Sequence, residues 1–328
     1  MATYIDVCNG DADGLCSVVQ WRLHEPQAAR LITGLKRDIE LLDRVQAVDG
    51  DKLLVCDLSM RRNLLPLMRL LASGVSVLYF DHHKVDEIPL HPLLDAHIDV
   101  ASDTCTSLLV DRYLGGKFRA WAVVGAFGDN LTGVAEGLAV DFGLSFKDRR
   151  RLQSLGESIN YNAYGDSERD VHINPKHLYE ILVRYPDPLN FLEREVIGRE
   201  LDALRQDDLR RAQALLPYLQ DDRVSVYLLP DAPWSRRVSG SLSNILACAE
   251  PLRAHALLRP TVSGDFVVSV RAPLCSPVGA AEFCRSFGGD GRAGAAGIDH
   301  LPGHQLERFI DAFSGTRWRD APGVPGDS

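Results

Sequence analysis

Several of the features that usually classify a protein at sight are missing from this 328-residue chain. No stretch approaches the roughly 18 consecutive apolar residues that a bilayer-spanning helix needs, and the N-terminus lacks the basic-then-apolar pattern of a signal peptide. Both absences lead to the expectation of a cytoplasmic protein. Paired cysteines are missing too. The seven cysteines (Cys8, Cys16, Cys56, Cys105, Cys248, Cys275 and Cys284) are odd in number, scattered, and include no C-x-x-C pair, so free thiols in a reducing compartment are expected rather than a disulfide framework. Positive charge is short, with 36 Lys and Arg against 45 Asp and Glu and a net charge of −9. Affinity for long nucleic acid is dominated by phosphate neutralisation, so this balance argues against a broad basic coat for long DNA or RNA. A local basic pocket stays open. No internal repeat is found.

What is present is an ordinary globular balance, 45% apolar and 25% charged residues, at a length that suits two domains. "TYIDVC", "ARLITG", "KLLVCD" and "VSVLYF" read as strands. They alternate with helical stretches near Leu15–His24 and in "MRRNLLPLMRLLAS", where Pro66 interrupts the helical pattern. That alternation predicts a doubly wound, mostly parallel α/β sheet with helices on both faces. Helical segments follow, among them "TCTSLLVDRYL" and "RAWAVVGAFGDNL". A long charged run with narrow apolar spacing reads as a connector helix over 189–220. Beyond it "RVSVYLLPD", "AHALLRPT", "DFVVSVRAP" and the helix "FIDAFSG" describe a smaller C-terminal α/β domain. The expected division is 1–188, connector 189–220, 221–316, and a flexible tail 317–328.

In an open α/β sheet, ligands bind beyond the carboxyl ends of the strands. The residues there are Asn9, Asp11 and Asp13 in "NGDADG", Asp57 in "VCDLS", and Asp81, His82 and His83 in "YFDHHKV", with Asp129 later in "AFGDN". Taken singly, each has a local explanation as a helix cap or a polar turn. Taken together they place several carboxylates on one edge, where like charges repel and some would stay protonated. Divalent cations remove that conflict, and mixed carboxylate and imidazole donors favour Mn²⁺ over Mg²⁺ or Zn²⁺.

The ordered set "NGDADG", "VCDLS", "DHH", "GDN" resembles the four motifs of the DHH phosphoesterase superfamily. "FGGDGRAGAAG" at 287–297 resembles the "GGGHxxAAG" signature of the C-terminal domain associated with it, and "SVRAP" its arginine-bearing strand. The resemblance spans residues 6 to 297. It implies Asp11, Asp13, Asp57, His82 and Asp129 as ligands of one or two ions (Mn²⁺, or Mg²⁺), with Asp57 bridging. It implies His83 as the group facing a substrate phosphate and Asp81 as the carboxylate orienting the imidazoles. Arg271, Gly288, Gly289, Gly291 and Arg292 are the implied substrate contacts. The implied activity is hydrolysis of phosphodiester or phosphomonoester bonds in short oligonucleotides or small nucleotides. Two alternatives stand beside it: a RecJ-like 5′ exonuclease on single-stranded DNA, and a nucleotide-binding regulatory protein with a reduced metal site. A homodimer is left open.

Four positions depart from the family pattern and bear on this. A histidine common in the family is Val7 here, and an aspartate of RecJ-type members is Asn9. The histidine of the glycine-rich signature aligns with Arg292, a permanent cation that binds phosphate as a fork but carries no acid–base role. Asp290 stands where a glycine is expected.

Overall fold

The computed structural model describes residues 2–318. The chain divides into two compact units between Arg205 and Gln206. The first opens with β1 (Tyr4–Cys8), α1 (Ala12–His24), β2 (Ala29–Ile32), β3 (Lys52–Cys56), α2 (Leu64–Ala72), β4 (Ser76–Asp81) and β5 (Leu94–Ile98). Helices follow: α3 (Thr106–Tyr113), α4 (Arg119–Gly128), α5 (Thr132–Asp141), α6 (Phe146–Asn162), α7 (Pro175–Leu182) and α8 (Pro188–Arg194), and then α9 (Ile197–Gln213), within which the division falls.

The five strands pair in the order β2-β1-β3-β4-β5, all parallel. Strand alternation explains how both faces are buried. Ile5, Val7, Leu53, Val55, Val77 and Tyr79 point into one core, shared with Leu67 and Leu71 of α2. Cys8, Leu54, Cys56 and Phe80 point into the other, shared with α1, α3, α4 and α6. Chain order reverses between β1 and β3, which makes their carboxyl ends the switch point where α/β sheets bind ligands.

Three expectations change, and one strand is added. Helix α1 begins at Ala12 rather than Leu15, because Asp11 caps it by accepting the Gly14 N–H at 3.1 Å. Pro66 is no flaw, since α2 starts at Leu64 and Pro66 lies in its first turn, where a missing N–H costs nothing. The edge strand β5, "LDAHI", had no sequence signal: it is only partly buried and mixes Asp95 and His97 with apolar residues. The span 189–220 is not one helix but α8 and α9, separated at Glu195, whose backbone is extended.

The second unit holds β6 (Leu219–Gln220), β7 (Val224–Leu228), α10 (Pro233–Ala249), β8 (Ala254–Pro260), β9 (Phe266–Arg271), α11 (Ala280–Arg285), β10 (Asp290–Arg292), β11 (Ala295–Leu301) and α12 (Leu306–Gly315). Its mixed sheet runs β10-β11-β9-β8-β7-β6, parallel only between β7 and β8. Val224, Val226, Val268 and Val270 pack there against Phe283, Phe309, Phe313 and Trp318. Trp318 is buried, so the tail expected from 317 does not begin there; its remainder, 319–328, lies outside the described residues.

All seven cysteines are free: Cys8, Cys16, Cys56, Cys105 and Cys284 are buried, and Cys248 and Cys275 are exposed. Among the described residues no helix is long and apolar enough to cross a membrane.

Candidate metal centre

The site is assembled by three strand ends and two helix ends. Asp11 ends the β1–α1 turn as the α1 N-cap, and Asp13 sits in the first turn of that helix. Both Asp13 oxygens accept backbone N–H groups at the start of α3, from Thr106 and Ser107, each at 2.7 Å. Cys105, the α3 N-cap, makes no side-chain cap bond, so Asp13 satisfies those orphan donors from another helix while keeping lone pairs for a further partner. Asp57 follows β3 with φ at 57°, in the left-handed region that Asp and Asn tolerate better than most residues. Its N–H is held by the Phe80 carbonyl at 3.0 Å. Asp129 caps the C-terminus of α4. It is delivered there because Gly128 lets α4 close on α1 and α6: a Cβ at Gly128 would lie 2.3 Å from the Ala12 Cβ and 2.9 Å from the Gly156 carbonyl.

The histidines come from the end of β4. His82 Nε2 lies 3.4 Å from Asp57, 3.8 Å from Asp129 and 4.0 Å from Asp13. His83 Nδ1 donates to Asp81 Oδ1 at 2.7 Å, and its ring is half-exposed. Asp81 is fully buried, and its second oxygen, Oδ2, has no hydrogen-bond partner.

Two overlapping sets of side chains bring one ligand atom each to within 4.8 Å of one another: Asp57 with His82 and His83, and Asp13 with His82 and Asp129. Asp11 stands next to this cluster but in neither set. Its Oδ1 accepts the Gly14 N–H and its Oδ2 accepts the Lys36 ammonium at 2.7 Å.

The electrostatics describe a site short of positive charge. Burial, and then the charges of Asp11, Asp13, Asp129 and Asp81, push the Asp57 carboxyl well above the usual carboxylate range. Burial and the neighbouring Asp13 and Asp11 push Asp129 up to about 7, against the opposing pull of Lys36 and His83. The hydrogen bond to Asp81 raises the His83 imidazole, outweighing its burial. Burial also acts to raise Asp11, yet the Lys36 charge and hydrogen bond bring it below its ordinary value. Crowded carboxylates with mixed oxygen and imidazole donors are the donor set a divalent ion fits, because its charge cancels the repulsion that distorts these groups.

In the second unit Arg271 ends β9 and donates to Asn244 Oδ1 at 3.0 Å and Ser269 Oγ at 3.1 Å. Ala295 pairs with Arg271 on one side and Arg292 on the other, so both arginines fall in one row across three strands, flanking a small residue. The glycine-rich run is not an open loop. The N–H groups of Gly288 and Gly289 donate to the α11 carbonyls of Arg285 and Cys284, at 3.1 and 2.8 Å. Gly291 is glycine because a Cβ there would meet the Ala296 backbone at 2.4 Å. Asp290 is exposed and pairs with Arg285 at 3.2 Å.

Sequence reading missed Thr106, Ser107, Lys36 and Asn160. "DTCTS" carries the Ser/Thr signature of a helix start, a signal that could have found the first two. Nothing local marks Lys36 or Asn160, which reach the site only through tertiary contacts.

No protein-family model and no curated protein matches the sequence. Solved structures do match. Exonuclease RecJ bound to manganese aligns at 20% identity and a TM-score of 0.65 over 95% of this chain and 89% of that one. RecJ of Thermus thermophilus in complex with Mn²⁺ aligns at 20% identity and a TM-score of 0.60; 95% of this chain is covered, but only 51% of that longer protein. PggH of Vibrio cholerae, a pGpG-specific phosphodiesterase, aligns at 14% identity and a TM-score of 0.56 over 94% and 97% of the two chains. With its carboxylates and histidines gathered at the switch point of a parallel sheet, this chain has the fold that RecJ and PggH share.

Proposed function

We propose that the chain is a divalent-metal-dependent phosphoesterase that cleaves short oligonucleotides or small nucleotides. The observation that carries this reading is the convergence of Asp13, Asp57, His82, His83 and Asp129, all able to offer ligand atoms within one small volume. The bound ion, Mn²⁺ by donor chemistry and Mg²⁺ as the second choice, supplies Lewis acidity toward phosphoryl oxygens and a lowered pKa for water.

The chain's own residues do the rest. Asp13 is held by two backbone N–H groups, so it presents its remaining lone pairs without reorganisation. Asp81 fixes the His83 ring through Nδ1 and raises its pKa, leaving Nε2 to donate to a phosphoryl oxygen. Arg271 and Arg292 are the proposed phosphate contacts of the second unit, and the chain's net charge of −9 favours a small substrate over long DNA. PggH, which acts on a dinucleotide, and RecJ, an exonuclease, share the fold.

The test is turnover by the purified chain with Mn²⁺ against bis-p-nitrophenyl phosphate, short RNA and long single-stranded DNA. Hydrolysis of the short substrates over the long one is expected. Preference for long DNA supports an exonuclease instead. No turnover together with tight nucleotide binding overturns the enzyme reading in favour of a binding module.

A further inference from the structure

The centre contains a cation of its own. The Lys36 ammonium donates to Asp11 Oδ2 at 2.7 Å and to Asn160 Oδ1 at 2.8 Å, and sits 5.6 Å from the centroid of the Tyr164 ring. Its backbone is fixed as well: the Lys36 N–H donates to the Ala163 carbonyl at 3.0 Å, and its carbonyl accepts from Asn9 Nδ2 at 3.2 Å. Four separate pieces of chain, the β1–α1 turn, the Lys36 loop, α6 and the turn after it, thus hold one lysine against one aspartate. A flexible surface lysine makes no such set of contacts.

The groups that might hold an ion beside Asp11 are turned to other uses. Val7 is fully buried in the core behind β1 and has no donor atom. Asn9 Oδ1 accepts the Asp11 N–H at 3.2 Å, and its amide nitrogen is spent on Lys36. Asp11 itself has one oxygen on the α1 N-terminus and the other on Lys36. Both candidate ligand sets leave Asp11 out.

We infer that Lys36 is a resident replacement for one metal ion: the centre takes a single divalent cation, and the Lys36 ammonium supplies the second positive charge beside Asp11. The inference rests on the proposed phosphoesterase reading and specifies how its site is charged. An ammonium has three N–H donors, of which Asp11 and Asn160 take two. The side chain is 28% exposed, and the third is the donor assigned to an incoming phosphoryl oxygen. Unlike a metal ion, this cation cannot be removed by a chelator.

Metal stoichiometry of the purified chain tests this. Equilibrium dialysis against Mn²⁺ is expected to give one ion per chain, with an electron paramagnetic resonance spectrum free of exchange coupling. Lys36→Glu replaces the cation beside Asp11 with a carboxylate, and is expected to bring uptake to two ions with an exchange-coupled spectrum. Lys36→Gln is expected to stay at one ion and to bind inorganic phosphate at least tenfold more weakly than the parent. Two coupled ions in the parent protein overturn the inference while leaving the phosphoesterase reading intact; no ion at all overturns that reading too. A folded Lys36→Glu protein that still binds one ion removes Lys36 as the reason the second is excluded. If Lys36→Glu does not fold, phosphate affinity decides the matter, and an unchanged value in Lys36→Gln overturns the inference.

Discussion

At the scale of single residues, Asp57 carries the sharpest conflict between stability and function. It is buried, beside Asp11, Asp13, Asp81 and Asp129, and its backbone is left-handed. A residue chosen for stability alone would be uncharged there. Asn keeps the size and tolerates the left-handed backbone, which costs most other residues about 1–2 kcal/mol. Asp57→Asn is therefore expected to melt at or above the parent temperature in the presence of a chelator. With Mn²⁺ the order reverses, because only the parent gains from binding. Its Mn²⁺ affinity should fall by more than the roughly 10- to 100-fold that follows loss of an outer hydrogen-bond partner. Calorimetry with and without Mn²⁺ checks both halves; an Asp57→Asn protein stabilised by Mn²⁺ as much as the parent would remove Asp57 from the ligand set.

At the scale of elements, the small residues of α4 and α6 decide whether the ligands meet. Gly128 touches Ala12, next to Asp13, and precedes Asp129. A Cβ there must push α4 away from α1 and α6. Gly128→Ala is expected to cost about 1–3 kcal/mol, the usual price of overpacking, and to weaken Mn²⁺ binding although no ligand is altered. Denaturant melts and dialysis measure the two effects, and a destabilised variant with parental Mn²⁺ affinity would show that helix spacing does not set the site. Such dependence on spacing marks what sequence can and cannot show. Strands β1, β3 and β4 are legible because both their faces are buried, which leaves continuous apolar runs, and the acids after them stand out by position. β5 is hidden because an edge strand half in solvent keeps Asp95 and His97 in its pattern. α10 escapes because its Ser- and Gly-rich sequence masks the burial of Val238 and Leu242 one turn apart. In the site, Asp57 and His82 are legible for the same positional reason. Lys36 and Asn160 are not: one lies in a loop and the other in a helix more than a hundred residues on, and only packing joins them.

At the scale of the whole molecule, the two units have separate cores, and different variables act on each. The first contains the metal centre. The second contains His255, buried on β8, where Nδ1 lies 2.7 Å from the Ser225 hydroxyl and Nε2 lies 3.3 Å from the Glu250 carbonyl. A neutral ring serves both partners, with Nε2–H donating to the carbonyl and Nδ1 accepting from the hydroxyl. Burial, partly offset by Glu250, lowers the His255 pKa from its ordinary value of 6.5. A histidine depressed in the folded state binds its proton more readily when unfolded, so stability falls as pH drops below about 6.5 and the loss levels off below the folded pKa. Calorimetry of the full chain is expected to resolve two transitions, since separate cores break two-state behaviour. Mn²⁺ at 100 times its dissociation constant should stabilise the first unit by about 2.7 kcal/mol, moving one transition up by roughly 5–11 °C and leaving the other in place. Acidification from pH 7.5 to 5.5 should lower the transition that Mn²⁺ leaves alone, and His255→Asn should flatten that slope. A single transition that responds to both Mn²⁺ and His255 would mean that the two cores unfold as one.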